Sequence, residues 1–204
     1  MKFPKVSILD YGMGNIWSVS NALKYIGAES RFIKSPEDII SSECLILPGV
    51  GSFPEAMKII KNNFFDEAII ELSKSGVSIL GICLGMQILG ASSNENNFTL
   101  GLNLLPNKVE KFSNNKLKIP HVGFNSIKKY GNSKLLINFH SDIYFYFVHS
   151  FRMVKNNSLY NYSICNYDED FIASVEINNI FGTQFHPEKS QTNGLKLLKN
   201  FLNI

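Results

Sequence analysis

Short apolar runs alternate with amphipathic helical stripes over the first eighty residues, and this alternation constrains the fold of the 204-residue chain more than any other feature. Residues 6–9, 30–33, 44–47 and 77–80 are apolar runs of strand length, each bounded by turn-forming residues. Between them, residues 15–26 place Ile16, Val19, Leu23 and Ile26 on one helical stripe, and 53–60 and 64–72 repeat that spacing. Strand alternating with helix predicts a parallel sheet covered on both faces. Beyond residue 94 the texture changes. Runs at 109–112, 126–129, 143–148, 160–165, 172–177 and 180–185 are strand-like with short turns and predict antiparallel pairing, before a closing helix over 191–202 whose Leu195, Leu198 and Leu202 face the sheet. With no repeat and no long linker, the expected architecture is one domain spanning 1–204. Its fold class is α/β: a mostly parallel open sheet flanked by helices, with a flavodoxin-like core and an antiparallel, strand-rich second half.

Composition removes several function classes. Hydrophobic residues make up 45% and charged residues 18%, which suits a globular core and excludes a disordered chain. No apolar run approaches the ~18–20 residues a membrane-spanning helix needs, and the amino terminus does not read as a signal peptide, so the expectation is a cytoplasmic protein without a membrane partner. The net charge is +3, only Arg31 and Arg152 are arginine, and the lysines are scattered, which argues against nucleic acid as a partner. Cys44, Cys83 and Cys165 show no C-x-x-C spacing, and His121, His140 and His149 show no ligand spacing, so neither a disulfide framework nor a metal site is expected. No P-loop or dinucleotide fingerprint is present. One cysteine is left over for reactivity, with Cys44 and Cys165 read as core thiols.

Gly81-Ile82-Cys83-Leu84-Gly85 lies between the run 77–80 and a helical pattern starting near Met86. A nucleophile on a tight strand-to-helix turn sits in strained backbone geometry, and its neighbours must be small because the chain folds back on itself. The helix start then aims free N–H groups at developing negative charge. A buried cysteine in a glycine-rich turn shares this spacing, so the elbow needs partners. His186-Pro187-Glu188 supplies them: an imidazole to take the thiol proton and a carboxylate to orient the ring. The loop Pro48-Gly49-Val50-Gly51 also follows a strand, at the carboxyl edge where open α/β sheets bind ligands. The N–H of Leu84 and an N–H of Val50 or Gly51 form a candidate oxyanion hole.

Cys83 within Gly-Ile-Cys-Leu-Gly-Met-Gln, the Pro-Gly-Val-Gly loop and His186-Pro187-Glu188 together resemble the class I (triad) glutamine amidotransferases. Within that class, residues 10–15 (DYGMGN), 120–125 (PHVGFN) and 185–190 (FHPEKS) are similar to the glutaminase subunits of imidazole glycerol phosphate synthases, and these motifs run from the first strand to the last helix. The resemblance implies that Cys83 attacks the side-chain amide of glutamine, His186 transfers protons and Glu188 orients His186. Glutamate then leaves through a thioester, and ammonia passes to a barrel-shaped synthase (cyclase) subunit, held as a heterodimer, in histidine biosynthesis. It implies glutamine contacts at Gly49, Gln87, Glu95 and the main chain of His149, Ser150 and Phe151. It also implies a partner-facing surface at Asn15, Phe124, Asn125, Tyr146 and Lys189, and no cofactor or metal. The family commonly has tryptophan where Phe124 stands and a large residue with acidic neighbours in place of Gly90-Ala91-Ser92. These departures motivate one alternative, the same chemistry serving a paralogous synthase that aminates a surface sugar; a stand-alone cysteine hydrolase on a similar α/β sheet is a second, from a different class.

Overall fold

The structure, a computed structural model, describes residues 3–113, 118–140, 143–155 and 161–204. The first half builds β1 (Val6–Leu9), α1 (Ile16–Tyr25), β2 (Ser30–Ile33), α2 (Pro36–Ile40), β3 (Cys44–Gly49), α3 (Phe53–Asn62), α4 (Phe65–Lys74), β4 (Ile79–Cys83) and α5 (Leu84–Leu89). The second half adds β5 (Ser92–Ser93), β6 (Thr99–Leu100), β7 (Lys108–Lys111), β8 (His121–Ser126), β9 (Lys128–Tyr130), β10 (Tyr144–His149) and β11 (Phe151–Met153). It closes with β12 (Asn161–Tyr167), β13 (Glu169–Ile177), β14 (Ile180–Thr183), a 3-10 turn (Pro187–Lys189) and α6 (Gln191–Phe201).

The main sheet has the order β2-β1-β3-β4-β14-β13-β12-β9. Its first five strands are parallel, and β13, β12 and β9 continue it antiparallel. A β10-β8 ribbon and a β11-β7-β5-β6 sheet stand beside it. Alternation along the central strands divides the core in two. Val6, Ile8, Cys44, Ile46, Leu80 and Ile82 face α1 and α6, while Leu9, Leu45, Leu47 and Ile79 face the helices α3 to α5. Cys44 and Cys165 are core thiols, each pushed up to about 12 by burial.

The expected parallel half and antiparallel half are both present, with differences at particular ends. β4 continues through Gly81 to Cys83, and α5 begins at Leu84 rather than Met86, so no linker separates the nucleophile from its helix. The strand expected at 126–129 is two strands, β8 and β9, broken at Ile127. The run expected over 180–185 ends as strand at Thr183, and α2, β5, β6 and β11 were not anticipated. Tyr160, expected to open a strand, lies outside the described residues. In α6 the buried stripe is Leu197, Leu198 and Phe201, with Leu195 only partly covered. No helix of the described residues is long and apolar enough to cross a membrane.

One buried ion pair holds the outer strand β11 in place. Arg152, only 8% exposed, donates from Nη2 to Glu169 Oε2 at 2.7 Å and lies over the Phe112 ring. Glu169 also accepts from the Ser113 N–H and hydroxyl. The hydrogen bond from Arg152 holds the Glu169 carboxyl well below the usual carboxylate range, at about 2. Glu169→Gln leaves a guanidinium buried without its counter-charge and is expected to cost about 2–3 kcal/mol in urea denaturation at pH 7, the low end for a buried pair because Glu169 keeps one edge in water. The depressed carboxyl stabilises fully above its ordinary value of 4.5 and loses that effect as pH falls toward about 2. The gap between parent and variant should therefore narrow below pH 4.5.

Candidate active site

β3, β4 and β14 are adjacent parallel strands, and their carboxyl ends deliver three sequence-distant segments to one place. In the register, Gly49 pairs with Cys83 and Thr183 with Ile82. The loop 48–51, the nucleophile elbow and the residues leading to His186 thus lie side by side at one sheet edge.

Cys83 has φ 55° and ψ −109°, a conformation that costs an L-residue roughly 1–3 kcal/mol unless the surroundings enforce it. The enforcement is close backbone packing. A Cβ on Gly85 would stand 1.7 Å from the Leu47 carbonyl oxygen, and one on Gly81 would stand 2.6 Å from the Gly85 carbonyl group. Only hydrogen fits at either position, which is why the elbow reads G-x-C-x-G.

Behind the thiol, His186 Nδ1 lies 2.8 Å from Glu188 Oε1, both side chains almost wholly buried. Nδ1 faces a carboxylate and so carries the proton, which leaves Nε2 for chemistry. Nε2 is buried with no hydrogen-bond partner among the described residues. Burial disfavours the imidazolium, but the negative charge of the Cys83 sulfur and the Glu188 carboxylate outweigh it and push His186 up to about 10.

A cavity of about 360 Å³ opens over the sulfur. Cys83, Leu84, Val50 and Gly51 line its floor, and Gln87, Glu95, His149, Ser150 and Phe151 its walls, joined by Pro120 and Val148. Gly49 lies beneath it: a Cβ there would stand 2.5 Å from the Tyr11 hydroxyl and 2.8 Å from Leu84 Cβ. Glu95 is half-buried, and its Oε2 accepts from the Phe53 N–H at 2.8 Å, capping α3. The Val50 N–H donates to the Met13 carbonyl at 3.2 Å, so in this conformation the loop holds it away from the sulfur.

The Phe151 carbonyl is a junction in the wall. It accepts from Gln87 Nε2 and from His149 Nδ1, each at 2.9 Å. With His149 donating from Nδ1, its Nε2 accepts from His121 Nδ1 at 3.1 Å. Burial pulls His149 down to about 3 and His121 to about 4, so the pair is neutral. His121 is stacked between Tyr167 and Phe147.

The expected partner-facing residues divide. Phe124 is 48% exposed and meets Tyr146 edge-on at 5.6 Å, with the Lys189 ammonium 5.9 Å above the Tyr146 ring. Asn15 caps α1 by accepting from the Ser18 N–H, and Asn125 braces β8 by donating to the Asn166 carbonyl. Two residues of the site carry no role in the sequence reading. Gln184 is fully buried, and its Nε2 lies 3.6 Å from Cys83 Sγ. It stands just past the end of β14 and two residues before His186, and that i, i+2 spacing is the signal the sequence offered. Tyr11 is the other, its hydroxyl buried under the 48–51 loop and its phenol raised by burial and by Cys83.

The class-I glutamine amidotransferase family model matches residues 7–204. Among relatives, imidazole glycerol phosphate synthase subunit HisH 1 of Parasynechococcus marenigrum is 44% identical, with 98% of each chain covered. Subunit HisH of Methanosarcina barkeri is also 44% identical, again with 98% of each covered. The chloroplastic imidazole glycerol phosphate synthase hisHF of Arabidopsis thaliana is 38% identical over 97% of this chain but 34% of its own length. Among solved structures, PurLQS from Thermotoga maritima superposes with a TM-score of 0.77 at 23% identity, covering 98% of both chains, a likeness of fold alone. Elbow, His–Glu pair and flanking loop all fall within the matched span: the chain belongs to the class-I glutamine amidotransferase family, among the HisH subunits of imidazole glycerol phosphate synthase.

Proposed function

We propose that this chain, as one domain over 1–204, hydrolyses L-glutamine to glutamate and ammonia and passes the ammonia to a barrel-shaped synthase subunit in a heterodimer of the histidine pathway. The observation that carries the reading is His186. Its Nδ1 is held by Glu188 at 2.8 Å, and its unpartnered Nε2 is buried beside a strained cysteine under a cavity.

The chemistry follows from the geometry. Cys83 Sγ attacks the side-chain carbonyl carbon of glutamine, its proton having moved to His186 Nε2. The resulting oxyanion takes the Leu84 N–H at the start of α5 and the Val50 N–H once that N–H leaves Met13. Collapse expels ammonia with the proton from His186, leaving a thioester. Water, deprotonated by His186, then attacks the thioester and releases glutamate and the thiol. Gln87, Glu95 and the main chain of residues 149–151 are the groups available to hold the amino-acid end of the substrate.

The partner reading draws on the relatives. The chain spans about a third of the Arabidopsis hisHF protein, and the rest of that length is room for a fused synthase half. Exposed Phe124 and Lys189 flank half-buried Tyr146 in an aromatic and cationic cluster that suits docking of such a subunit. Likeness to HisH subunits along the whole chain favours the histidine pathway over surface-sugar amination.

Cys83→Ala should abolish glutamate release without changing the melting temperature by more than a degree or two; retained turnover would overturn the nucleophile assignment. Glu188→Gln should lower kcat by about 10²–10⁴ with KM little changed, because the ring loses its orienter and counter-charge. Because Met13 holds the Val50 N–H, the isolated chain should release glutamate at least tenfold more slowly than with its synthase subunit and that subunit's substrate, the loss of one oxyanion donor being worth about 10²–10³. Equal rates with and without the partner would contradict this.

A further inference from the structure

Two contacts of the nucleophile lie outside the triad, a long one of 4.0 Å from Cys83 Sγ to the Val148 carbonyl and one from Gln184. Gln184 is wholly buried, and the 3.6 Å contact from its Nε2 to Cys83 Sγ is within N–H···S range. The two ends of an amide differ chemically, so everything depends on which end faces sulfur.

The surrounding network decides that orientation from a group that cannot be reversed. The Phe151 backbone carbonyl only accepts, so Gln87 must present its NH₂ group there, at 2.9 Å. The second hydrogen of the same NH₂ group points to Gln184 at 3.0 Å and requires an acceptor, which is Gln184 Oε1. Gln184 therefore offers its own NH₂ group to Cys83. His149 supports the chain by donating to the same Phe151 carbonyl.

Resting on the reading of Cys83 as nucleophile, we propose that Gln184 is a further catalytic residue, a fixed N–H donor that stabilises the Cys83 thiolate while the proton resides on His186 Nε2. A neutral thiol is a weak acceptor and a thiolate a strong one, so the bond favours the charged form. The donor is held at the end of β14, apart from the 48–51 loop, and is already in place when the sulfur attacks. Through Gln87 it also ties a cavity wall residue to the nucleophile, so one hydrogen-bonded chain runs from the main chain at Phe151 to the sulfur.

Two isosteric variants of the full chain separate a donor from a space-filler. Gln184→Met removes the donor and keeps the length. Gln184→Glu keeps an oxygen to accept from Gln87 but turns a second oxygen toward sulfur. The readout is the rate of Cys83 alkylation by iodoacetamide at pH 7, followed by mass spectrometry, with buried Cys44 and Cys165 as internal controls for unfolding.

A donor role expects alkylation about tenfold slower or more in Gln184→Met, as for loss of a hydrogen bond to a charged group, with the deficit closing at higher pH as the thiol ionises without help. Gln184→Glu should be slowed at least as much. A purely structural role predicts the reverse ranking, with the glutamate variant near the parent and the methionine variant impaired; that result, or a deficit unchanged with pH, overturns the proposal. If the methionine variant does not fold, the glutamate variant alone decides by the same criterion. Failure of the underlying reading is seen separately, as glutamate release surviving Cys83→Ala.

Discussion

The close approach of Gly85 to the Leu47 carbonyl is the contact on which the site depends. It lets α5 start directly above the β3–β4 pair, with no linker residues between strand and helix. Any side chain at Gly85 would drive the helix off the sheet, and the Cys83 backbone would relax from its strained φ. The same packing puts Gly49 under the helix start, so the loop beyond it runs beside the sulfur. The placement of Cys83, of the 48–51 loop and of the cavity beside them follows from two strands and a helix meeting at glycine distances.

The base is placed by a separate mechanism. Residues 186–190 are stitched to β10: the His186 N–H donates to the Tyr146 carbonyl, the Tyr146 N–H to Ser190 Oγ, and the Ser190 hydroxyl to the His186 carbonyl. Phe185 stacks on Phe145 at 3.9 Å, so this connection is rigid on its core side. The ring of Tyr146 meanwhile faces Phe124 and Lys189 at the surface. One residue thus joins the Phe124–Lys189 cluster to His186 by backbone hydrogen bonds, a short physical route between that surface and the Cys83 cavity.

Legibility in the sequence varied with the kind of signal. Strands β1 and β3 were readable because buried parallel strands are largely apolar runs, and α1, α3 and α4 because each has a long apolar stripe. β8 was not, because a two-stranded ribbon with Val122 and Phe124 exposed and His121 buried has no such run, and Gly123 at φ 134° breaks its pattern further. β5 and β6 are two residues each, too short for any period. The hydrogen bonds by which Asn15 caps α1 and Asn125 braces β8 had no signal in the sequence, since asparagine serves many purposes with the same amide.

The sequence by itself carried the motifs of the proposed chemistry, a cysteine within G-x-C-x-G after an apolar strand and a histidine two residues from a glutamate, each of which has a plain structural use when read alone. It also determined the parallel core, because hydrophobic period is a local property. Tertiary structure alone decided which other groups touch the sulfur. Gln184 became a donor because a carbonyl thirty-three residues earlier in the chain fixes the orientation of Gln87 and thereby its own, and Val50 had its N–H turned away because Met13 lies across the loop. Hydrogen-bond direction in a buried network is set by the one member that cannot rotate, and where that member lies is known only once the chain has folded.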